Sequence, residues 1–265
     1  MYNRFFAFGC SWTSWFWPTW SDIIAKDLNI EYENWGAPGS GNQGIQARFV
    51  EANNTYKFNQ SDLVIVQWSG WNREDRFIDY NWKFGGNIFN NQYYDNKFIK
   101  RHWSYDNDLI KNSVVIKITN DAYLDKIKYQ FAFGFPLVDK NVETNEYNNW
   151  FNSDYKTHKT PDIIKSYYNH LPTIDDPNFT NNRFNQQCMD THPDVAAHIE
   201  IVEKYIYPNI FNKDCIKTET KDFFMSYSNE LSTILSPKDS WDKMQNKATE
   251  LNKKYNLNLS ERRGV

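Results

Sequence analysis

Between Arg4 and Val66 three short runs that read as strands alternate with stretches of helical periodicity. The runs are residues 4–9, Ile30 to Trp35, and Leu63 to Val66. Between them Trp20, Ile23, Ile24 and Leu28 recur at helical spacing with Asp27 as a polar interruption, followed by Ile45, Phe49, Ala52 and Tyr56. Pro18 is placed to open the first of these helices. Strand, helix, strand, loop, helix, strand is the rhythm of a parallel sheet with helices on both faces. The fold class expected is α/β, a three-layer α/β/α sandwich with a mostly parallel central sheet. Right-handed crossovers then bring the carboxyl ends of the strands to one edge, where open α/β sheets bind their ligands.

The remainder is less regular. Residues 73–105 are polar, aromatic and rich in Gly and Asn, and read as an insertion. Asp108 to Leu124 reads as a helix with Ile110, Val114, Ile118 and Ala122 as its apolar stripe. Lys128 to Phe135 reads as a fourth strand, closed by Pro136. Residues 139–188 read as a second, irregular insertion with one helix near 161–170, a length of loop more typical of a lid or binding segment than of filler. Pro193 to Tyr207 carries Val195, Ile199, Val202 and Ile206 on one helical face, with Pro208 as its stop. Residues 1–212 thus read as the main domain and 213–265 as a C-terminal helical extension. In the extension Ser236-Pro237 reads as a helix start, and Trp241, Met244, Ala248, Leu251 and Tyr255 form a narrow apolar seam. Such a seam docks on the parent domain, or serves as a contact with a second copy or a larger assembly.

Composition excludes several classes. A chain of 265 residues is long enough to bury a core of its own. A net charge of -3 leaves no broad basic footprint, so no nucleic-acid partner is expected. Cys10, Cys188 and Cys215 form no CxxC pair and no even disulfide framework, which favours a reducing compartment and argues against a structural zinc. No metal or other cofactor is expected. The apolar run Phe5 to Phe8 is too short for a secretory core, and no stretch is long enough to span a bilayer. The expectation is a cytoplasmic protein with no membrane association, with virion association as the alternative later fate.

Acyl transfer to a serine needs a nucleophile on a tight turn, a base, a group that orients the base, and donors for the oxyanion. Ser11 follows the first strand and Gly9; the plainer role for such a serine is a turn or helix cap. Gly39 follows the second strand, where a missing Cβ lets a backbone N–H come close to a ligand. Asn72 follows the third strand, and its amide can donate to an oxyanion or simply cap a loop. His192 lies in Asp190-Thr191-His192-Pro193, just before a helix. Asp190 is near enough to hold the imidazole, or else to cap that helix. Cys10 as the nucleophile is the weaker choice, because adjacent strand residues face opposite ways and cysteine is commonly buried.

The order of these blocks resembles that of the SGNH hydrolases, the GDSL esterase/lipase family named for Ser, Gly, Asn and His. Gly9-Cys10-Ser11 stands where that family usually has Gly-Asp-Ser. Asn34-Trp35-Gly36-Ala37-Pro38-Gly39 fits the second block, and Gly70-Trp71-Asn72 the third, with Arg73 where Asp is usual. The last block has one residue fewer than the family's Asp-x-x-His-Pro, with Met189 in the customary Asp position. The resemblance implies Ser11 as nucleophile, His192 as base, and oxyanion donors at Ser11, Gly39 and Asn72. Asp190 is taken as the orienting acid, with Asp194 or a loop acid such as Asp175 as its substitutes. The function implied is a serine esterase acting on O-acetyl or other short O-acyl esters. Trp12, Trp15, Trp17, Trp20, Trp68 and Trp71 around the first and third loops suggest a glycan as the alcohol, or else core packing. The alternative is an inactive binding or structural protein with the same fold inside a larger, viral, assembly.

Overall fold

A computed structural model of the chain describes residues 2–90, 93–134, 190, 192–213 and 215–259. Strand β1 (Arg4–Phe8) leads through helix α1 (Trp20–Leu28) to β2 (Glu31–Asn34), then α2 (Asn42–Tyr56) and β3 (Asp62–Trp68). A hairpin of β4 (Arg73–Ile78) and β5 (Asn81–Asn87) follows, then α3 (Asn96–His102), α4 (Tyr105–Ala122) and β6 (Tyr129–Gly134). The central sheet has the order β2-β1-β3-β6, and every pairing in it is parallel.

Period-two alternation sorts the strand residues onto two faces. Phe5, Ala7, Leu63, Ile65, Phe131 and Phe133 face one core. Phe6, Phe8, Val64, Val66, Trp68 and Ala132 face the other. The first core is covered by α1 and by α5, which begins at Val195–Ile201; the second is covered by α2 and α4. This is the expected three-layer sandwich. Helices α1 and α2 lie on opposite faces, so the strand order reverses between β1 and β3, the place at the carboxyl ends of the strands where open α/β sheets bind their ligands. Ser11 lies just beyond β1.

Local details depart from expectation in four places. Helix α1 is capped by Thr19, whose N–H and hydroxyl both contact Asp22 Oδ2, so Pro18 lies outside it. Helix α4 buries Leu109, Ser113, Ile116 and Thr119, whereas Ile110 and Ile118 are exposed. Only Val114 and Ala122 of the expected stripe are half-buried, because α4 packs through a neighbouring face whose Leu109, Val115 and Ile116 join Ile45 and Phe49 of α2 in the second core. Beside them Gln46 Nε2 bonds Thr119 Oγ1 at 2.9 Å and the Val115 carbonyl at 3.2 Å. Pro208 does not stop α5. A π turn at Val202–Ile206 widens the helical ladder, and the proline without its N–H enters a further turn, Tyr207–Ile210. Ser236-Pro237 does not start a helix either. Asp239 accepts from the Ser236 N–H at 2.9 Å in a turn between α6 (Thr218–Ile234) and α7 (Trp241–Lys254), and Ser240 caps α7.

Phe224, Tyr227 and Leu231 of α6 and Met244, Ala248 and Leu251 of α7 join the same core as β1 and α1. The seam read from the sequence therefore docks on the parent fold. Asp27, the polar interruption in α1, is buried and ties α5 and α6 to it: Tyr207 Oη donates to Oδ2 at 2.5 Å and the Lys217 N–H to Oδ1 at 2.8 Å. Burial, with Asp27 as acceptor, holds the Tyr207 hydroxyl well above its ordinary value. The helix expected near 161–170, the second insertion, Asp175 and Cys188 lie outside the described residues. Among the described residues no helix is long and apolar enough to cross a membrane.

Candidate active site

The chain turns as soon as β1 ends. The N–H groups of Thr13 and Ser14 both donate to the Cys10 carbonyl, at 2.9 and 3.2 Å. Residue 9 must lack a side chain, since a Cβ there would stand 2.0 Å from Thr13 Oγ1. Cys10 is fully buried in the first core.

Three loops are stitched together around this turn. Thr13 Oγ1 donates to Gln67 Oε1 near the end of β3 at 2.7 Å. Asn34 Nδ2 donates to the Thr13 carbonyl at 2.7 Å while its Oδ1 accepts from the Gly36 N–H at 2.8 Å. The Ala37 N–H reaches the Gly9 carbonyl at 3.0 Å. Asn42, in the first turn of α2, accepts from the Ser69 N–H at 2.7 Å and donates to the Ser69 carbonyl at 2.9 Å. It also donates to Asn112 Oδ1 at 2.8 Å, and Asn112 Nδ2 contacts the Trp71 carbonyl at 3.3 Å. Asn42 and Asn112 thereby set the height of the Asn72 loop.

The polar chain at the centre joins residues from opposite ends of the protein. Ser11 Oγ lies 2.8 Å from His192 Nε2, and His192 Nδ1 lies 2.6 Å from Asp190 Oδ1. Asp190 Oδ1 also accepts the His192 backbone N–H at 2.8 Å, and Oδ2 accepts the Trp15 indole N–H at 2.8 Å. The Asp190 carboxylate is fully buried while the His192 side chain keeps 21% exposure, so the imidazole is the rim of the site and the acid its floor. With the carboxylate accepting at both oxygens, the imidazole proton sits on Nδ1. That leaves the Nε2 lone pair for the serine hydroxyl. Asp194 plays a different part. Its Oδ1 accepts from the Ala197 N–H at 2.8 Å and caps α5. The Trp17 indole donates to the Pro193 carbonyl at 2.9 Å, which anchors the segment carrying His192.

Gly39 and Asn72 lie on the two neighbouring loops, and the β4–β5 hairpin holds both. Gly39 has φ +80, a left-handed conformation that favours glycine, and its carbonyl accepts from the Gly86 N–H at 3.0 Å. Asn72 Nδ2 donates to Asn87 Oδ1 at 3.2 Å. On the same hairpin Asp75 accepts the N–H groups of Gly41 and Gly44 at 2.7 and 2.9 Å, at the start of α2. Burial pushes the Asp75 carboxyl up, and those two donors pull it back toward the charged form. The β4–β5 hairpin of the first insertion thus braces both loops.

The aromatic loop is mostly packing. Trp12, Trp17, Trp20, Trp68 and Trp71 are buried. Trp15 stacks on the His192 ring at 3.7 Å and 24° and on the Phe16 ring at 4.6 Å and 30°. Two nearly parallel rings at those distances cannot share one face, so both faces of Trp15 are covered. Trp15, Asn42, Asn87 and Asn112 carry no local sequence signal for these roles, because their partners are distant in the chain. Among the described residues no group of three or more His, Cys, Asp or Glu is placed to hold a metal ion.

A parallel α/β/α sandwich with a Ser–His–Asp hydrogen-bonded chain on the loops at its carboxyl edge is the class that fold and site together define. No family model and no curated protein matches the sequence. Among solved structures, the chain is similar to a member of the lipolytic protein G-D-S-L family from Veillonella parvula, at 13% identity over 79% of this chain and 98% of that one, with a TM-score of 0.41. It is also similar to a psychrotrophic esterase from Pseudoalteromonas, at 12% identity over 86% of this chain and 97% of that one, with a TM-score of 0.37. A third is a lipase/acylhydrolase from Enterococcus faecalis, at 12% identity over 90% of this chain and all of that one, with a TM-score of 0.30.

Proposed function

We propose that this chain is a serine ester hydrolase of the SGNH type, acting by double displacement. The observation that carries the reading is the 2.8 Å contact of Ser11 Oγ with His192 Nε2, with Asp190 behind the imidazole. His192 removes the Ser11 proton as Oγ attacks the ester carbonyl. Asp190 holds the imidazole in the tautomer that leaves Nε2 free and stabilises the imidazolium that forms. His192 then returns the proton to the departing alcohol, and water, deprotonated by the same nitrogen, releases the acid from Ser11. The backbone N–H groups of Ser11 and Gly39 and the Asn72 amide serve as oxyanion donors. One of the two Asn72 amide hydrogens is taken by Asn87, and the proposal assigns the other to the oxyanion.

The substrate class is a short O-acyl ester. A glycan as the alcohol is the finer reading, and the burial or covering of the six tryptophans that suggested it leaves it to experiment. A fluorophosphonate probe is expected to label the wild-type protein and not Ser11→Ala. Hydrolysis of acetylated glycans, short aryl esters and long-chain esters then ranks the substrates. An unlabelled wild type with no esterase activity would sink the reading and favour the inactive binding protein; preference for long acyl chains would remove the glycan.

A further inference from the structure

We propose that Trp15 is the positioning residue for the acid–base pair, and that helices α6 and α7 hold it in place. The inference rests on the reading of Ser11, His192 and Asp190 as the reacting groups. The indole meets both members of the pair at once. Its in-plane N–H donates to Asp190 Oδ2 at 2.8 Å, and its face lies on the imidazole at 3.7 Å. Asp190 therefore spends one oxygen on His192 and the other on Trp15, and neither ring can rotate without breaking a contact to the other. A half-buried histidine at the rim needs such a restraint, because a base displaced by about 1 Å costs on the order of 100-fold in rate. An indole suits this place because it joins a broad apolar face to a donor in its own plane.

Trp15 is itself immobilised from the C-terminal helices. Phe16 covers its second face, and Trp241, the first residue of α7, meets its edge at 5.8 Å and 85°. Trp241 also meets Phe16 at 6.2 Å. Asn252 of α7 donates to the Phe16 carbonyl at 2.9 Å, and its Oδ1 accepts from Tyr227 Oη of α6 at 2.7 Å. Tyr227 is fully buried. The last two helices thus reach the acid–base pair through residues 15 and 16.

The test combines three substitutions, with Asp190→Ala alone as the reference for its double variant. Trp15→Phe keeps a stacking ring and loses the donor; it is made alone and together with Asp190→Ala. Trp241→Ala is made alone and together with Trp15→Phe. Measured are kcat and KM on a short aryl ester, the labelling rate of Ser11 by a fluorophosphonate, and the thermal midpoint. Trp15→Phe is expected to lower kcat and the labelling rate by roughly 10- to 100-fold with KM nearly unchanged. It should add no further loss when Asp190 is already alanine. Trp241→Ala should act in the same direction and more weakly, and add little to Trp15→Phe. A labelled wild type with Trp15→Phe reacting at the wild-type rate, or losing equally in both backgrounds, overturns the proposal alone. An unlabelled wild type overturns the hydrolase reading and this proposal with it.

Discussion

Ser11 Oγ and His192 Nε2 lie 2.8 Å apart although 181 positions separate them in the chain. Two anchors make that contact rigid. The turn after β1 is locked by Thr13 on Gln67 and by Asn34 on Thr13, and the segment carrying His192 is pinned by Trp17 on the Pro193 carbonyl.

Asp190→Asn removes the acceptor that keeps the imidazole proton on Nδ1 and puts an amide in its place. The favoured tautomer then presents a proton, not a lone pair, to Ser11. The expected result is a fall in kcat of about 10⁴-fold on a short aryl ester. A variant with near-wild-type kcat would remove Asp190 from the acid's role and return the question to other carboxylates.

If Asn72 serves as the oxyanion donor proposed above, Asn72→Ala removes a contact that matters only when charge develops on the substrate oxygen. The expected change is a kcat lower by about 100- to 1,000-fold with little change in KM, read from steady-state kinetics. A rise in KM at constant kcat would make Asn72 a ground-state contact instead.

The two faces of α4 are separable by stability. Ile116 is fully buried and Ile118 is 51% exposed. Ile116→Ala is expected to cost about 2–5 kcal/mol in urea unfolding, and Ile118→Ala no more than about 0.5 kcal/mol. Equal costs would mean that the exposed stripe is covered in solution.

Asp239 gives a pH signature. Lys247 and Lys243, with the Ser236 N–H, hold its carboxyl down to about 2, below the ordinary value of about 3.9. The unfolded chain therefore takes up this proton at higher pH than the folded one. The stabilisation is present above about pH 4 and is lost as pH falls toward 2. Thermal melts of Asp239→Asn against wild type should show a gap at neutral pH that closes on acidification. A gap constant down to pH 2 would contradict the pairing.

Much of the fold was legible because strands and helices leave local traces. The runs at residues 4–9 and 63–66 alternate between two cores with period two, and α1 and α2 show their buried faces at helical spacing. Helix α4 was legible as a helix but not in its orientation. Ile110 and Ile118 of its expected stripe face out and Val114 is half-buried, because packing against α2 through Leu109, Val115, Ile116 and Thr119 chose a neighbouring face. The same competition moved the start of α7 from Ser236-Pro237 to Ser240, since Asp239 binds the Ser236 N–H in a turn. Among the tryptophans, number in the sequence pointed to a ligand, whereas burial points mainly to the core.

The order of small loop blocks along the chain was enough to nominate Ser11, Gly39, Asn72 and His192, since each follows or precedes an element that local periodicity defines. Which acid serves the histidine, which face of α4 is buried, and what the C-terminal helices touch were decided only by tertiary structure. Hydrogen bonds and ring contacts between residues far apart in the chain leave no periodic trace in it. Asp190 and Asp194 are both acids beside the same histidine in sequence; only the folded backbone aims one at the imidazole and the other at a helix end.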